Sequence, residues 1–272
     1  MPLLRPPVPA LRPFVAQLWA SGDPVDAAGA SPWREHALPS GAMHLVVRLT
    51  DRVLRIADPF QHGSAQAVVP SLVGGMRSRY YVRELAGPSC SVGAVLRPGA
   101  AQCLFGVGAD ALAERHTSLE DLWGLAAREL RERLLSQRRP EDRLAVFEAE
   151  LAARLPRVHG LHPAVAQALA QFPAGASVAE VVRQGGVSHR RFIELFRRSV
   201  GLAPKTFLRV LRFQRALPAL RAGQPLAAVA VDLGYSDQSH FSREFLAFSG
   251  VTPLAYRLQH GTEMNHLPMK AG

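Results

Sequence analysis

The chain has 272 residues, of which 48% are hydrophobic, 20% charged and 7% aromatic. This composition is typical of a globular protein and excludes collagen, a coiled coil and disorder throughout, while the length allows two domains. No apolar stretch reaches the roughly 18 residues that a membrane span needs, and the N-terminus lacks the apolar core of a signal peptide. We therefore expect a cytoplasmic protein without membrane segments.

The formal charge of +10 is unevenly distributed. Residues 1–157 contain 19 basic and 16 acidic side chains, a difference of +3, whereas residues 158–272 contain 13 and 6, a difference of +7. The densest stretch, residues 177–221, has ten basic and two acidic residues. Such a basic concentration suits a polyphosphate partner such as nucleic acid. The alternative is a solvated surface on an arginine-rich protein.

The first hundred residues have the pattern of a β-rich domain. Short apolar runs at 43–49, 65–69, 80–85 and 91–96 are separated by Gly, Pro, Asp and Ser, as strands separated by turns would be. This pattern predicts an antiparallel sandwich or barrel. The fold class is therefore α+β, with an N-terminal β-rich domain, a helical extension and an all-α C-terminal domain.

Helical spacing begins after Pro98. We predict a helical turn at 101–105, a helix that Ser118 caps and that runs through 122–135, and a helix from Pro140 to Leu155. The apolar residues of these helices either pack on their own β-rich domain, which we prefer, or form a dimer seam: Leu122, Leu125, Leu144, Phe147 and Leu151. A polar stretch at 157–160 marks the boundary between domains 1–157 and 158–272.

The C-terminal domain contains a repeat. The first unit reads Gly186-Val187-Ser188, Phe192, Phe196, Gly201 and Pro204, and the second reads Gly234-Tyr235-Ser236, Phe241, Phe245, Gly250 and Pro253. In each unit a short apolar helix precedes the first glycine, and a second helix with phenylalanines at i and i+4 follows it. This is the pattern of a helix-turn-helix, with units at about 177–199 and 226–248 and a linker helix over 203–221.

The segments SHRRFIELF (188–196), GLAP (201–204), GYSDQSHFSREF (234–245) and GVTPLAYR (250–257) resemble the DNA-binding domain of the AraC/XylS family of transcription regulators. The resemblance implies two helix-turn-helix units that occupy successive major grooves. Less sharply, LPSG (38–41), VGG (73–75), RPGA (97–100), FGV (105–107) and LEDLWG (119–124) resemble the sensor-like domain of one subgroup. Such domains are often cupin-like and bind a small effector or dimerise.

Recognition helices place residues near their N-termini against base edges. In the first unit four residues share a face at i, i+3, i+4 and i+7: Arg190, Ile193, Glu194 and Arg197. Arg190 suits guanine, Ile193 a thymine methyl and Glu194 cytosine N4. For Glu194, a salt bridge to Arg190 or Arg198 is an equal alternative. Arg191 and Arg198 are expected to hold phosphates.

The matching positions of the second unit are Gln238, Ser239, Ser242 and Arg243. Gln238 suits adenine, Arg243 suits guanine or a phosphate, and the serines suit either bases or backbone. We expect Asp237 to cap the helix and His240 to pack or to contact a phosphate.

Two features depart from the family pattern. Leu246 and Ala247 stand where relatives often carry basic residues, so the first unit is expected to supply more electrostatic affinity. Pro218 lies inside the linker helix, where it removes a backbone donor and should kink or end the helix. A kink or an early end of the linker helix puts in doubt the spacing of about 34 Å between the two recognition helices.

The sequence thus favours a sequence-specific, DNA-binding transcription regulator, activator or repressor, and not an enzyme. Double-stranded promoter DNA is the expected partner; RNA polymerase, a second copy of the chain and an unidentified small-molecule effector at the N-terminal domain remain open. One alternative is a nonspecific architectural DNA binder. A less favoured one is a cysteine-dependent DNA-repair alkyl acceptor, since Cys90 and Cys103 have no Cys or His at ligand spacing. His36, His44 and His62 lack a diagnostic metal spacing, and we predict no metal or cofactor.

Overall fold

The computed structural model describes residues 2–21, 33–60, 65–87, 90–156, 160–259 and 264–269. Within them the N-terminal part is β-rich and the C-terminal part helical, as predicted. The described strands are β1 (Leu3–Arg5), β2 (Val15–Ser21), β3 (Trp33–Ala37), β4 (Met43–Arg48), β5 (Leu54–Ala57), β6 (Gln66–Ala67), β7 (Ser71–Gly74), β8 (Tyr81–Leu85), β9 (Ser91–Leu96), β10 (His116–Ser118) and β11 (His266–Pro268).

Helices follow β9 almost without interruption. They are α1 (Ala100–Phe105), α2 (Ala109–Leu112), α3 (Leu119–Trp123), α4 (Leu125–Leu135), α5 (Pro140–Ala153), α6 (Pro163–Gln171), α7 (Val178–Gln184), α8 (His189–Val200), α9 (Pro204–Arg221), α10 (Leu226–Asp232), α11 (Gln238–Ser249) and α12 (Pro253–Gln259). In the described part of the chain, no helix is both long and apolar enough to cross a membrane.

The strands form two antiparallel sheets. The first has six strands in the order β1-β2-β9-β4-β7-β10, and the second has five in the order β11-β3-β8-β5-β6. The predicted strands at 43–49, 80–85 and 91–96 are confirmed, whereas the one at 65–69 is limited to Gln66–Ala67. The predicted antiparallel two-layer β domain with a helical C-terminal domain is therefore confirmed.

The main apolar core lies between the six-stranded sheet and the helices after it. Helix α5 packs on β2 and β9. Its Leu144, Phe147 and Leu151 are fully buried within one chain, as are Leu45 and Val92 of the sheet. Those three helical residues therefore pack on their own β-rich domain, and they are unavailable to a dimer seam.

The predicted helix through 122–135 is divided. Ser118 caps α3 as expected, because its hydroxyl accepts a hydrogen bond from the Glu120 amide at 3.1 Å. Gly124 then takes φ +60° and ψ −137°, which no helix allows, and a second helix starts at Leu125. The break leaves Leu125 itself 70% exposed. The prediction of one continuous helix is wrong, because the glycine permits a turn that the apolar spacing does not show.

Pro218 does not end the linker helix. Helix α9 continues to Arg221, and the Ala222 amide donates to the Pro218 carbonyl at 2.9 Å. Leu217 and Leu220 on either side are fully buried. The burial of this last turn compensates for the one backbone donor that proline removes. Of the two expected effects, a kink or an end of the helix, the end does not occur.

The C-terminal end of the chain returns to the N-terminal sheet. Strand β11 pairs with β3 at the edge of the five-stranded sheet. The Leu38 amide donates to the Asn265 carbonyl at 2.8 Å, and the Met269 amide donates to the Arg34 carbonyl at 2.9 Å. Most of the predicted boundary, residues 157–159, lies outside the described residues.

Candidate nucleic-acid interface

The first helix-turn-helix unit consists of α7 and α8. Ser177 and Glu180 form a reciprocal capping box at the start of α7. Ser188 caps α8 by accepting a hydrogen bond from the Arg191 amide at 3.3 Å. Phe192 and Phe196 of α8 are fully buried. The predicted phenylalanine pair therefore fixes one face of α8 to the core and leaves the other face outside.

The second unit, α10 and α11, repeats this arrangement. Asp237 caps α11 as predicted, because its carboxylate accepts from the His240 amide at 2.7 Å. That backbone hydrogen bond is the main reason why the pKa of Asp237 is lowered. Phe241 and Phe245 are 1% exposed. Phe245 lies 5.1 Å from the ring of Phe213 on the linker helix α9, so α11 is fixed to the linker.

The predicted contact residues of the first unit lie on the exposed side of α8, with Arg198 in its last turn beside the β-rich half. Ile193 is half-buried, and the five charged residues are exposed: Arg190, Arg191, Glu194, Arg197 and Arg198. Glu194 pairs with Arg191 at 3.0 Å, at spacing i,i+3, and not with Arg190 or Arg198 as the alternative prediction had it. The pair is exposed, at 55% and 65% of its side-chain surfaces, and an exposed pair contributes little to stability.

The outer face of α11 carries the predicted residues of the second unit. Gln238, Ser239 and Arg243 are exposed, and Ser242 is half-buried. The His240 ring lies edge-on to Tyr235 at 5.3 Å, and its Nδ1 is 3.1 Å from the Ser236 hydroxyl. These contacts give His240 the packing role that the sequence predicted.

Sequence reasoning missed Glu244, the residue that ties α11 to the linker helix. Its side chain is 8% exposed and accepts from Arg209 Nε at 2.9 Å. It also accepts from the Tyr235 hydroxyl at 2.9 Å. Burial, followed by the Glu244 charge, raises the pKa of Tyr235, so this phenol stays protonated as a donor. The position of Glu244 in the repeat of α11 is one that a solvent-facing glutamate could also occupy, so the sequence does not reveal that this side chain is buried.

The C-terminal ends of both recognition helices contact the β-rich half. At the end of α8 the Ser199 carbonyl accepts from the Gly99 amide at 2.9 Å. At the end of α11 the Phe248 carbonyl accepts from the Tyr80 amide at 2.9 Å. The Ser249 carbonyl lies 2.9 Å from His36 Nδ1. The β-rich half therefore holds both helices at the ends opposite their caps.

Arg198 lies at this junction. Its side chain lines a cleft of about 550 Å³ between α1 and α8, together with Gln102, Cys103 and Leu161. It lies near the end of α8 that is opposite to Ser188, whereas Arg190 and Arg191 lie in the first turn.

Two cysteines and three histidines are the candidates for other chemistry. Cys90 is 2% exposed and accepts a hydrogen bond from Arg143 at 3.1 Å. Cys103 is half-buried, and burial raises the pKa of its thiol. His62 lies outside the described residues. Among all the residues that the structure describes, no three His, Cys, Asp or Glu side chains are placed to share a metal ion.

Comparison with known protein families gives a separate match for each half of the chain. Residues 181–259 match a family model described as a helix-turn-helix domain, and residues 4–118 match a domain of unknown function, DUF6597. The RCS-specific HTH-type transcriptional activator RclR from Escherichia coli K12 is 33% identical over 102 residues, 36% of this chain and 36% of that protein. Invasion protein InvF from Salmonella typhimurium is 35% identical over 86 residues, 31% of this chain and 40% of that protein.

The chain thus spans well under half the length of these curated relatives. Among solved structures, ToxT from Vibrio cholerae is 8% identical, covers 94% of this chain and 98% of its own, and has a TM-score of 0.45. The match at 181–259 falls on the two capped units whose phenylalanine pairs are buried. The C-terminal part of the chain is an AraC-type helix-turn-helix domain.

Proposed function

We propose that the protein is a sequence-specific, DNA-binding transcription regulator whose activity a small molecule modulates through the β-rich half. One observation carries the DNA-binding part of this proposal. Two recognition helices, α8 and α11, each bury a phenylalanine pair and expose a polar face that starts at the helix cap. This arrangement suits insertion of both helix N-termini into major grooves.

The first unit supplies the stronger electrostatic contacts. Arg190 is exposed in the first turn of α8, where a guanidinium reaches guanine O6 and N7 with two hydrogen bonds. Arg191 is held by Glu194 in the free protein. Because that pair is exposed, a phosphate or a cytosine amino group replaces it at little cost. Arg197 adds a further exposed cation on the same helix.

The second unit reads bases with fewer charges. Gln238 at the start of α11 matches the two edge groups of adenine, N6 and N7. Ser239, Ser242 and Arg243 follow on the same face. Leu246 is 44% exposed at the position after the buried Phe245, so this end of α11 adds an apolar side chain and no cation.

The proposed partner is double-stranded promoter DNA, and RNA polymerase or a second copy of the chain would join it there. Two of the matched relatives are described as an HTH-type transcriptional regulator and an HTH-type transcriptional activator. The alkyl-acceptor alternative needs a reactive thiolate, yet Cys90 is buried and the pKa of Cys103 is raised. We therefore propose a role without catalysis.

Selection of bound DNA from a random library separates a specific regulator from an architectural binder. The affinity for the enriched sequence is then compared with the affinity for a scrambled duplex at one salt concentration. A specific regulator binds its site about a thousandfold or more tightly than the scrambled duplex. Salt-sensitive binding with no enriched sequence would instead identify an architectural protein.

A further inference from the structure

Residues 264–269 return from the helical half to the β-rich half, and we call them the C-terminal strap. The strap contains β11, which lies at the edge of the five-stranded sheet and pairs with β3. In this pairing Leu267 lies opposite His36, and Leu267 is 2% exposed. Because β11 has three residues, the burial of Leu267 supplies a large part of the apolar contact that keeps the strap in place.

Two helices of the second reading unit and its linker contact the strap. Gln214 of α9 donates a side-chain hydrogen bond to Asn265 Oδ1 at 2.8 Å. The hydroxyl of Tyr256 in α12 donates to the Met264 carbonyl at 3.1 Å. The Tyr256 ring lies 5.6 Å from Phe245 of the recognition helix α11. The strap is therefore tied to helices that pack around α11.

The strand that the strap pairs with also contacts the end of α11. His36 Nδ1 lies 2.9 Å from the Ser249 carbonyl, and the His36 ring stacks on Tyr80 at 4.4 Å. The Tyr80 amide donates to the Phe248 carbonyl at 2.9 Å. Since His36 is the register partner of Leu267, the strap lies directly beside the residues that hold α11.

The first recognition helix is held at a different place. The Gly99 amide, which follows β9, donates to the Ser199 carbonyl at the end of α8. A Cβ at Gly201 would lie 3.1 Å from Met76 and 3.2 Å from the Ala109 carbonyl, so the residue after α8 is also closely packed on the β-rich half. These contacts include no residue of the strap. The two recognition helices thus dock on separate parts of one scaffold, and the strap belongs to the second docking site.

We propose that the C-terminal strap determines which spacing between two DNA blocks the protein accepts, because it holds the second recognition helix in a fixed position relative to the first. Each base pair between the blocks changes their separation by about 3.4 Å and their relative rotation by roughly a tenth of a turn. A rigid pair of helices fits one spacing, whereas a pair whose second member can move also fits neighbouring spacings. This inference rests on the proposed function, since it concerns how two reading units select DNA.

Hydrogen exchange measured by NMR without DNA tests the holding role. One variant is a chain that ends at residue 263, and another is Leu267→Ala; Met269→Ala, at a position of the strap that is 37% exposed, is the matched control. We expect the Tyr80 amide to exchange at least about tenfold faster in the first two variants, because its acceptor lies on α11. The Gly99 amide, whose acceptor lies on α8, should exchange as in the wild type. Unchanged exchange at Tyr80 in both variants, or equal acceleration at Gly99, would refute the holding role.

Binding titrations test the spacing role. The duplexes carry the two enriched blocks at the selected spacing, or with one base pair added or removed between them. The wild type and Met269→Ala should lose at least about tenfold in affinity when the spacing changes. Leu267→Ala should lose at most about threefold, yet bind the selected spacing more weakly than the wild type, because its second unit must be ordered on binding.

The ratio of affinities for the two spacings separates this role from a general loss of stability, which would weaken the binding of every duplex by the same factor. Equal ratios in the wild type and in Leu267→Ala would overturn the spacing role. If the wild type enriches no motif of two blocks, the proposed function fails and the spacing role fails with it. The exchange measurement still decides whether the strap holds the second unit.

Discussion

Gly234 and Gly250 form a matched pair for testing how the β-rich half holds the second recognition helix. Both have left-handed backbones, with φ +72° and φ +76°. A Cβ at Gly234 would meet nothing within 4 Å, whereas a Cβ at Gly250 would lie 2.5 Å from the Tyr80 ring. Alanine therefore adds the same backbone strain at both positions but a steric overlap only at Gly250.

The expected magnitudes follow from this geometry. The left-handed conformation costs a residue with a Cβ about 1–2 kcal/mol. Overpacking adds roughly 1–3 kcal/mol at Gly250, because the Tyr80 ring is held by stacking on His36 at 4.4 Å. Gly250→Ala should therefore lower the free energy of unfolding by roughly 1–3 kcal/mol more than Gly234→Ala.

Urea unfolding of both variants measures this difference, and repeating the pair in a Tyr80→Ala background isolates the contact. The gap between the two variants should largely disappear once the ring is gone. Equal losses in the wild-type background, or a gap that persists without the ring, would refute the reasoning that Tyr80 packs on the end of α11.

Four further outcomes are expected. Arg190→Ala should weaken binding to the selected site by about 1–3 kcal/mol and binding to scrambled DNA less, and equal losses in a binding titration would argue against base contact. Arg198→Ala should lower affinity for any sequence and reduce the slope of log affinity against log salt by about one; an unchanged slope excludes a phosphate contact. Phe245→Ala should cost about 3–5 kcal/mol of stability in urea unfolding and the exposed Leu246→Ala far less, so similar costs would contradict the burial of Phe245. Because the pKa of His44 is lowered from 6.5 to about 4, only the unfolded state takes up its proton between these values, so stability falls as pH drops through them. His44→Gln should reduce the slope of that part of the profile without abolishing it, because the pKa of His116 is also lowered, to about 3, and a profile of unchanged slope would contradict the assignment.

The helices of the C-terminal half could be predicted closely because their determinants are local. Caps such as Ser188 and Asp237 and the spacing of buried phenylalanines lie within one turn of the helix that they define. The turn at Gly124 and the continuation of α9 past Pro218 could not be predicted in the same way. Both depend on whether tertiary packing outweighs a local preference, and a single sequence does not show that.

Long-range pairing explains the other structural features that the sequence did not predict. Strand β11 has three residues including Pro268, too short for a detectable alternation, and it exists because β3 offers an open edge. The pairing of His44 and His116 with the same residue, Gly74, needs the strand order as well as the alternation, since the two histidines are 72 positions apart. The choice of Arg191 as the partner of Glu194 depends on rotamers, since i,i+3 and i,i+4 spacings are equally within reach.

The most direct test of the central claim is DNA selection with three proteins: the wild type, Arg190→Ala and Gln238→Ala. The wild type should enrich a motif of two blocks about one helical turn, roughly 10 base pairs, apart. Arg190→Ala should degrade one block and Gln238→Ala the other, because each residue belongs to a different recognition helix. A single block in the wild type, or both variants degrading the same block, would contradict the account of two reading units.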